Sequence, residues 1–317
     1  MLGGMARAVR YSELGGPDVL RVVDVPDPVA GPGEVTVRVE AAGVNPIDSK
    51  LRAGIRPTPP FTEPRGTGHD GAGHITSVGE GVDGFRVGDP VVFRGADGAY
   101  ATDIAIAADK LTLRPAGVTA AQGAGVPIPC GTAYQALRSL GVRADDTLLI
   151  HGGSGSVGQA AIQFAVLWGA RVIATSSPQR ADRVAGLGAV ALPYGPGLVD
   201  AVREAAPEGV TVILDCAGTD EALAQSLELL ADRSRIATIV AGPRAADLGI
   251  RAFSGGSPEP LTPAQNQLRA EAVPVALALM AAGRFSIELG ERFALDRAAD
   301  AQRASEGGAP GKLIVVP

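Results

Sequence analysis

The sequence is poor in cysteine, lysine, histidine and aromatic residues, and each shortage excludes something. Of 317 residues only two are cysteines, Cys130 and Cys216. A disulfide framework and a four-cysteine structural zinc site are therefore ruled out. Lysine occurs only at 50, 110 and 312, so arginine carries nearly all the positive charge; this reads as a genomic composition bias. No run gathers Lys or Arg, and the net charge is −6. Nucleic acid is not the expected partner of such a chain. The longest helical apolar stretch, residues 272–282, is too short to span a bilayer and contains Pro274. Residues 1–16 have no basic segment followed by an apolar run, so no secretory leader is expected. The expected setting is cytoplasmic, with no membrane partner.

What is present is the balance of a folded protein: 46% hydrophobic and 20% charged residues. The length favours two domains or one large one. Three regions differ in texture. Residues 1–117 are rich in Val, Gly and Pro, with strand-like runs at 34–40, 73–78, 87–93 and 110–114 separated by glycine turns. This spacing predicts an irregular, mostly antiparallel β domain. Residues 118–254 alternate apolar runs (147–151, 171–175, 211–214, 235–240) with helical stretches. Val157, Ala160, Ala161, Phe164, Ala165 and Trp168 make one apolar helical stripe. Alternation of this kind predicts an α/β doubly wound parallel sheet. Residues 255–317 give a loop (254–263), a helix to about 282, a strand near 286–294, a short helix and a last strand, 312–316.

The run 147–151 leads directly into Gly152, Gly153, Ser154, Gly155, Ser156, Val157 and Gly158. The glycines at 153, 155 and 158 fit G-x-G-x-x-G between a buried strand and a helix, which is the context that pattern requires. On this reading the first permits a tight turn, the second lets a pyrophosphate approach the backbone, and the third lets helix and strand pack closely. Free N–H groups and the positive end of the helix dipole then face the phosphates. The second strand ends in Thr175, Ser176, Ser177, Pro178, Gln179 and Arg180, with no acidic residue. A carboxylate there would bind the ribose 2′-hydroxyl of NAD; hydroxyls and a guanidinium accept a 2′-phosphate. NADPH is the expected cofactor. Ser177 and Pro178 also suit capping of the next helix, and both roles are compatible.

Taken in order, several stretches resemble the medium-chain dehydrogenases/reductases, of the zinc-independent quinone oxidoreductase (zeta-crystallin-like) type. They are GGPDVL at 15–20, GEV at 33–35, AGVNPID at 42–48, GHDGAG at 68–73, VGEGV at 78–82, FRVGDPV at 85–91, GTAYQAL at 131–137 and GKL at 311–313. The resemblance implies a Rossmann domain inserted in a GroES-like catalytic domain, which the last 60 or so residues complete. The active site then lies between the two. It also implies cofactor contacts from Ser154, Gly155, Ser156 and Val157 at the pyrophosphate, and from Ser176, Ser177, Arg180 and Tyr194 at the 2′-phosphate. Thr132, Ala217, Gly218, Ala241 and Phe253 are implied to line the nicotinamide half. Tyr194 and Phe253 suit core packing equally well.

Zinc alcohol dehydrogenases of this superfamily use Cys, His and Cys as ligands. Here those positions hold Asn45, His69 and, counting back from Tyr134, Ile128 or its neighbourhood. One donor of three does not hold zinc. His69 and His151 are read as structural. The run Asn45-Pro46-Ile47-Asp48-Ser49-Lys50 resembles a motif of quinone and alkenal reductases. By that resemblance Asn45 and Lys50 contact the nicotinamide ribose or orient the substrate carbonyl. Lys50 also suits an ordinary surface position, and Asp48 suits either holding the loop or touching ligand. Without a Lewis acid, hydride transfer to an electron-poor quinone or α,β-unsaturated carbonyl fits best. Two other readings stand beside it: an enoyl reductase of a biosynthetic pathway, and a non-catalytic NADPH-binding sensor. The resemblance further implies a homo-oligomer, most simply a dimer, paired at the sheet edge near 248–253.

Overall fold

The computed structural model describes residues 4–253 and 259–317. Half of the expected loop 254–263, residues 254–258, therefore lies outside the described residues. In chain order the elements are β1 (Met5–Tyr11), β2 (Arg21–Pro26), β3 (Glu34–Gly43), α1 (Pro46–Arg52), β4 (Arg65–Gly66), β5 (Asp70–Val78), β6 (Pro90–Phe93), β7 (Asp103–Ala107), β8 (Leu111–Leu113), α2 (Ala120–Ala124) and α3 (Pro127–Ser139). Next come β9 (Thr147–His151), α4 (Ser156–Leu167), β10 (Arg171–Ser176), α5 (Ala181–Gly186), β11 (Val190–Pro193), α6 (Leu198–Ala205), β12 (Val212–Asp215), α7 (Asp220–Leu229), β13 (Ile236–Thr238), α8 (Gly242–Leu248) and β14 (Arg251–Ala252). The last are α9 (Pro263–Ala281), β15 (Leu289–Ala294), α10 (Ala298–Glu306) and β16 (Lys312–Val316).

Two compact units result: Met1–Ile128 with Val273–Pro317, and Pro129–Ala272. Their boundaries fall at 128 and 272, beyond the 117 and 254 read from sequence. At the first, α2 belongs with the antiparallel strands. A Cβ added at Gly123 would meet Val92 of β6 and Ala72 of β5, and one at Gly43 of β3 would run into the Ala124 carbonyl. At the second, the start of α9 is held by the Arg269 guanidinium, which donates to Thr132 Oγ1 on α3.

In the first unit, a seven-stranded sheet runs β15-β16-β3-β5-β6-β8, with β7 also paired to β3; a smaller sheet runs β2-β1-β4. The pairs are antiparallel except β15 with β16. Alternation along β3 sends Val35, Val37 and Val39 into a core with Ile75, Val91, Phe93 and Val315. The last strand closes the first domain, Ile314 standing opposite Gly43 and Val315 opposite Ala42. The register brings Lys312 beside the end of β3. This is the mostly antiparallel catalytic-type domain expected. β6 starts at Pro90 rather than 87, because Gly88 (φ +92°) turns the chain just before it.

The second unit is a six-stranded, wholly parallel sheet in the order β11-β10-β9-β12-β13-β14. Leu149, Ile173, Ile213 and Ile236, one from each of the four central strands, share a core. Strand order reverses between β9 and β12. At such a switch point the flanking helices diverge to opposite faces and leave a crevice outside the strands' carboxyl ends. The glycine turn after β9 opens there.

Candidate functional site

The turn 152–155 is held to the neighbouring strand through its backbone. Gly152 N–H donates to Thr175 Oγ1 (3.0 Å) and Gly153 N–H to the Thr175 carbonyl (2.8 Å). The left-handed residue is Gly152 (φ +77°), one position before the glycine expected to make the turn. Gly153 serves close packing instead: an added Cβ would stand 2.6 Å from Ala174 Cβ. At Gly158 a Cβ would strike the Gly152 carbonyl, so helix α4 can start tight against the turn only with glycine there. Gly155 is exposed and has room for a Cβ, 3.6 Å from its nearest neighbour. It is also the N-cap of α4 and has no side chain to cap with. The N–H groups at Ser156 and Val157 therefore lack intrahelical acceptors, and Ser154, Ser156 and Val157 are half-buried beside them. Gln159 steadies the far side, its amide donating to the Ser154 carbonyl (2.8 Å).

Two buried side chains that the sequence reading passed over shape the neighbouring strand ends. Asp215 closes β12, and its Oδ1 accepts from Ala217 N (2.9 Å) and Gly218 N (2.8 Å). Its Oδ2 accepts from Thr238 Oγ1 (2.7 Å), which in turn accepts from Val240 N (3.1 Å) and Ala241 N (3.0 Å). One carboxylate and one hydroxyl thus fix both turns expected to line the nicotinamide half. The signal was available: each residue ends an otherwise apolar buried run. His151, at the end of β9, is also buried, and burial lowers its pKa against the opposing charge of Asp215.

Of the residues expected at the 2′-phosphate, Ser176, Ser177 and Arg180 lie at or just past the end of β10, and Tyr194 just past the end of β11. Ser176 is buried with its hydroxyl donating to the Ser177 carbonyl (3.1 Å); Ser177 and Arg180 are half-buried. Tyr194 is 65% exposed, which removes core packing as its explanation. Phe253 is the opposite case: it is buried, with the Arg251 guanidinium 4.9 Å above its ring. Thr132 is buried and its hydroxyl is engaged by Arg269.

In the first unit, the residues after β3 form a buried polar network. Asn45 is 1% exposed. Its Oδ1 accepts from Lys312 Nζ, and its Nδ2 donates to the Gly43 carbonyl and to Asp70 Oδ2 (3.2 Å each). Lys312 also donates to the Val44 carbonyl (2.8 Å). Asp70 Oδ2 further accepts from Ile128 N (2.9 Å), while Oδ1 has no hydrogen-bond partner. Burial raises the Asp70 pKa to about 6, against the pull of the Lys312 charge. Asp48 accepts at Oδ2 from Asn45 N (2.9 Å) and Tyr100 OH (3.1 Å), and its Oδ1 lies 2.6 Å from His69 Nδ1. Asn45, expected to reach cofactor or substrate, thus has its amide engaged inside the protein. Lys50 is half-buried on α1, and burial, with the nearby charge of Arg56, lowers its pKa. Among the described residues no three His, Cys, Asp or Glu stand together as a metal-binding group, nor is any helix long and apolar enough to cross a membrane.

Residues 31–134 match the alcohol dehydrogenase GroES-like domain, and residues 156–255 match the zinc-binding dehydrogenase domain. A chloroplastic quinone oxidoreductase of Triphysaria versicolor is 31% identical, with all of both chains aligned. The quinone oxidoreductase of Coxiella burnetii superposes with a TM-score of 0.86 at 27% identity, covering 99% of this chain and 100% of that one. The Escherichia coli quinone oxidoreductase solved as its complex with NADPH gives 0.83 at 26%, covering 98% and 100%. With these two domains in this order and this arrangement of sheets, the chain belongs to the quinone oxidoreductase (zeta-crystallin-like) family of medium-chain dehydrogenases/reductases.

Proposed function

We propose that this oxidoreductase uses NADPH to reduce a quinone or an α,β-unsaturated carbonyl without a catalytic metal. The observation that carries the reading is the end of β10. Ser176, Ser177 and Arg180 follow a strand tied to the glycine turn, and no carboxylate stands there to repel a 2′-phosphate. The N–H groups of Ser156 and Val157 at the start of α4 suit the pyrophosphate, and exposed Tyr194 suits the outer face of the adenosine phosphate. When bound, the reduced nicotinamide supplies hydride. The chain's part is to position it, exclude water and manage the proton.

The residues present do not fit zinc. Where related zinc enzymes place three ligands, Asn45 is bonded to Lys312 and Asp70, His69 to Asp48, and Ile128 offers only a backbone N–H that Asp70 accepts. A lysine ammonium already occupies the side of Asn45 that a cation would need. The proposed reduction accordingly proceeds without a metal. Asn45 serves to lock β3 to β16, and Lys50, with its ammonium pKa lowered, suits contact with the ribose or the substrate carbonyl. We also infer a cytoplasmic dimer, with β14 as the edge strand open for pairing.

The test is cofactor choice. Steady-state kinetics with NADPH and NADH should show a preference for NADPH. Arg180→Ala should raise the KM for NADPH about tenfold, the worth of one charge-assisted contact, and leave NADH nearly unaffected. Equal use of both cofactors by the unaltered protein would overturn the assignment.

A further inference from the structure

Beside Asn45, His69 and Asp48 form a pair. His69 Nδ1 and Asp48 Oδ1 are 2.6 Å apart. Asp48 is fully buried, and its other oxygen is held by Asn45 N–H and Tyr100 O–H. The carboxylate cannot turn away, so Nδ1 carries the proton it donates and the ring is fixed in one orientation. The opposite nitrogen, Nε2, has no partner among the described residues, and the side chain is 26% exposed. Buried His151, by contrast, is 1% exposed and has an Nε2 with neither partner nor access.

We propose that His69 is the proton donor of the reduction, acting through Nε2–H, with Asp48 as its positioning residue. This rests on the reductase reading. With an enone, hydride addition breaks the nicotinamide C4–H bond and forms a C–H bond at the β-carbon, moving the π electrons to an enolate. The Nε2–H bond then breaks and its proton forms the α C–H bond, leaving neutral imidazole, which regains a proton from water. With a quinone, the same proton neutralises the hydroquinone oxyanion. Oxidised nicotinamide and a substrate reduced by two electrons and two hydrogens account for every atom.

The surroundings suit an acid. Burial of the ring opposes its charged form, but the hydrogen bond and charge of Asp48, then the charges of Asp70 and Asp97, outweigh it and raise its pKa. Behind these stand Tyr100, which burial and Asp48 keep protonated, and Lys312, which faces Asp70. The arrangement matches the carboxylate–histidine pairing that elsewhere orients a metal-bound imidazole. Here it orients a ring with a proton to give.

The test has two readouts. In the cofactor-free protein, an NMR titration should place the His69 imidazole above the usual value near 6.5, and Asp48→Asn should bring it down. In turnover, on whichever acceptor the unaltered protein reduces fastest, His69→Gln should cut kcat about 100-fold, in the range of lost general-acid catalysis. NADPH affinity, read by fluorescence titration, should hold within about twofold in that variant. Activity of the unaltered protein should fall as pH rises through the His69 pKa, and that limb should vanish in His69→Gln. Unchanged turnover and an unchanged alkaline limb in His69→Gln would overturn the proposal while leaving the reductase reading intact. A protein that binds NADPH but reduces no acceptor would overturn the reductase reading, and the donor with it.

Discussion

The parallel-sheet unit builds its candidate site from main-chain N–H groups at strand ends, whereas the antiparallel unit builds its own from ionisable side chains closed into the interior. In the first, Thr175, Asp215 and Thr238 each accept backbone N–H groups and so fix the loops at the strand ends. In the second, the Asn45 side chain accepts from Lys312 and donates to Asp70, its backbone N–H donates to Asp48, and Asp48 pairs with His69, the one of the five that is not buried. Main-chain sites tolerate exchange of many side chains provided the glycines remain. A buried ionic network does not, because removing a charged member strands the charge of its partner.

The largest effect that would separate the two regions is expected at Lys312. Lys312→Met removes the donor to Val44 and Asn45 and the charge facing Asp70, and should lower the unfolding free energy by about 3 kcal/mol. Urea melts check this, and Asp70→Asn in the same background should recover part of the loss. If Lys312→Met melts like the unaltered protein, the network is not what holds β16 to β3.

A second contrast is in pH dependence. Burial raises Asp70 to about 6, so between pH 4 and 6 the folded chain holds a proton that the unfolded chain has released. Stability then falls as pH rises through that window, by about 3 kcal/mol for the full shift. Buried His151 works the other way: its pKa is lowered, the unfolded chain binds the extra proton, and stability rises with pH toward 6.5. The opposed slopes flatten the profile. Asp70→Asn should remove the falling one and leave a clear rise from pH 4 to 6 in urea-unfolding measurements. A profile in Asp70→Asn parallel to the original would show that Asp70 does not titrate there.

The smallest expected effect is at Thr175. Thr175→Val removes one acceptor from Gly152 N–H, while the Gly153 bond to the backbone carbonyl remains. The loss should be about 1 kcal/mol in NADPH binding or stability. Isothermal titration would measure the first and thermal melting the second. A hundredfold loss of affinity would mean the turn depends on its side-chain tie rather than on its glycines.

The same contrast explains what the sequence disclosed. Strand–helix alternation and the glycine turn are local patterns, and the parallel sheet and the place of the glycine turn after its strand were legible from them. Glycine roles were less so: which of Gly152, Gly153 and Gly155 adopts positive φ depends on the neighbouring strand. The antiparallel network was nearly silent. Lys312 and Asn45 are 267 positions apart, and His69 is 21 from Asp48, too far for any periodicity to link them. One trace existed. Lysine is rare in this chain, and Lys312 begins an otherwise apolar strand, where arginine would serve as well unless a compact ammonium were required. His69 and His151 were read as structural, and that the partner of His69 is Asp48 emerges only in the fold.

The most direct test of metal-free reduction is to follow NADPH oxidation by exhaustively chelated protein against benzoquinone, phenanthrenequinone and a short 2-alkenal. The account predicts turnover on at least one of them, unchanged when zinc is added back. Tight NADPH binding with no oxidation, or oxidation only after zinc is restored, would contradict it.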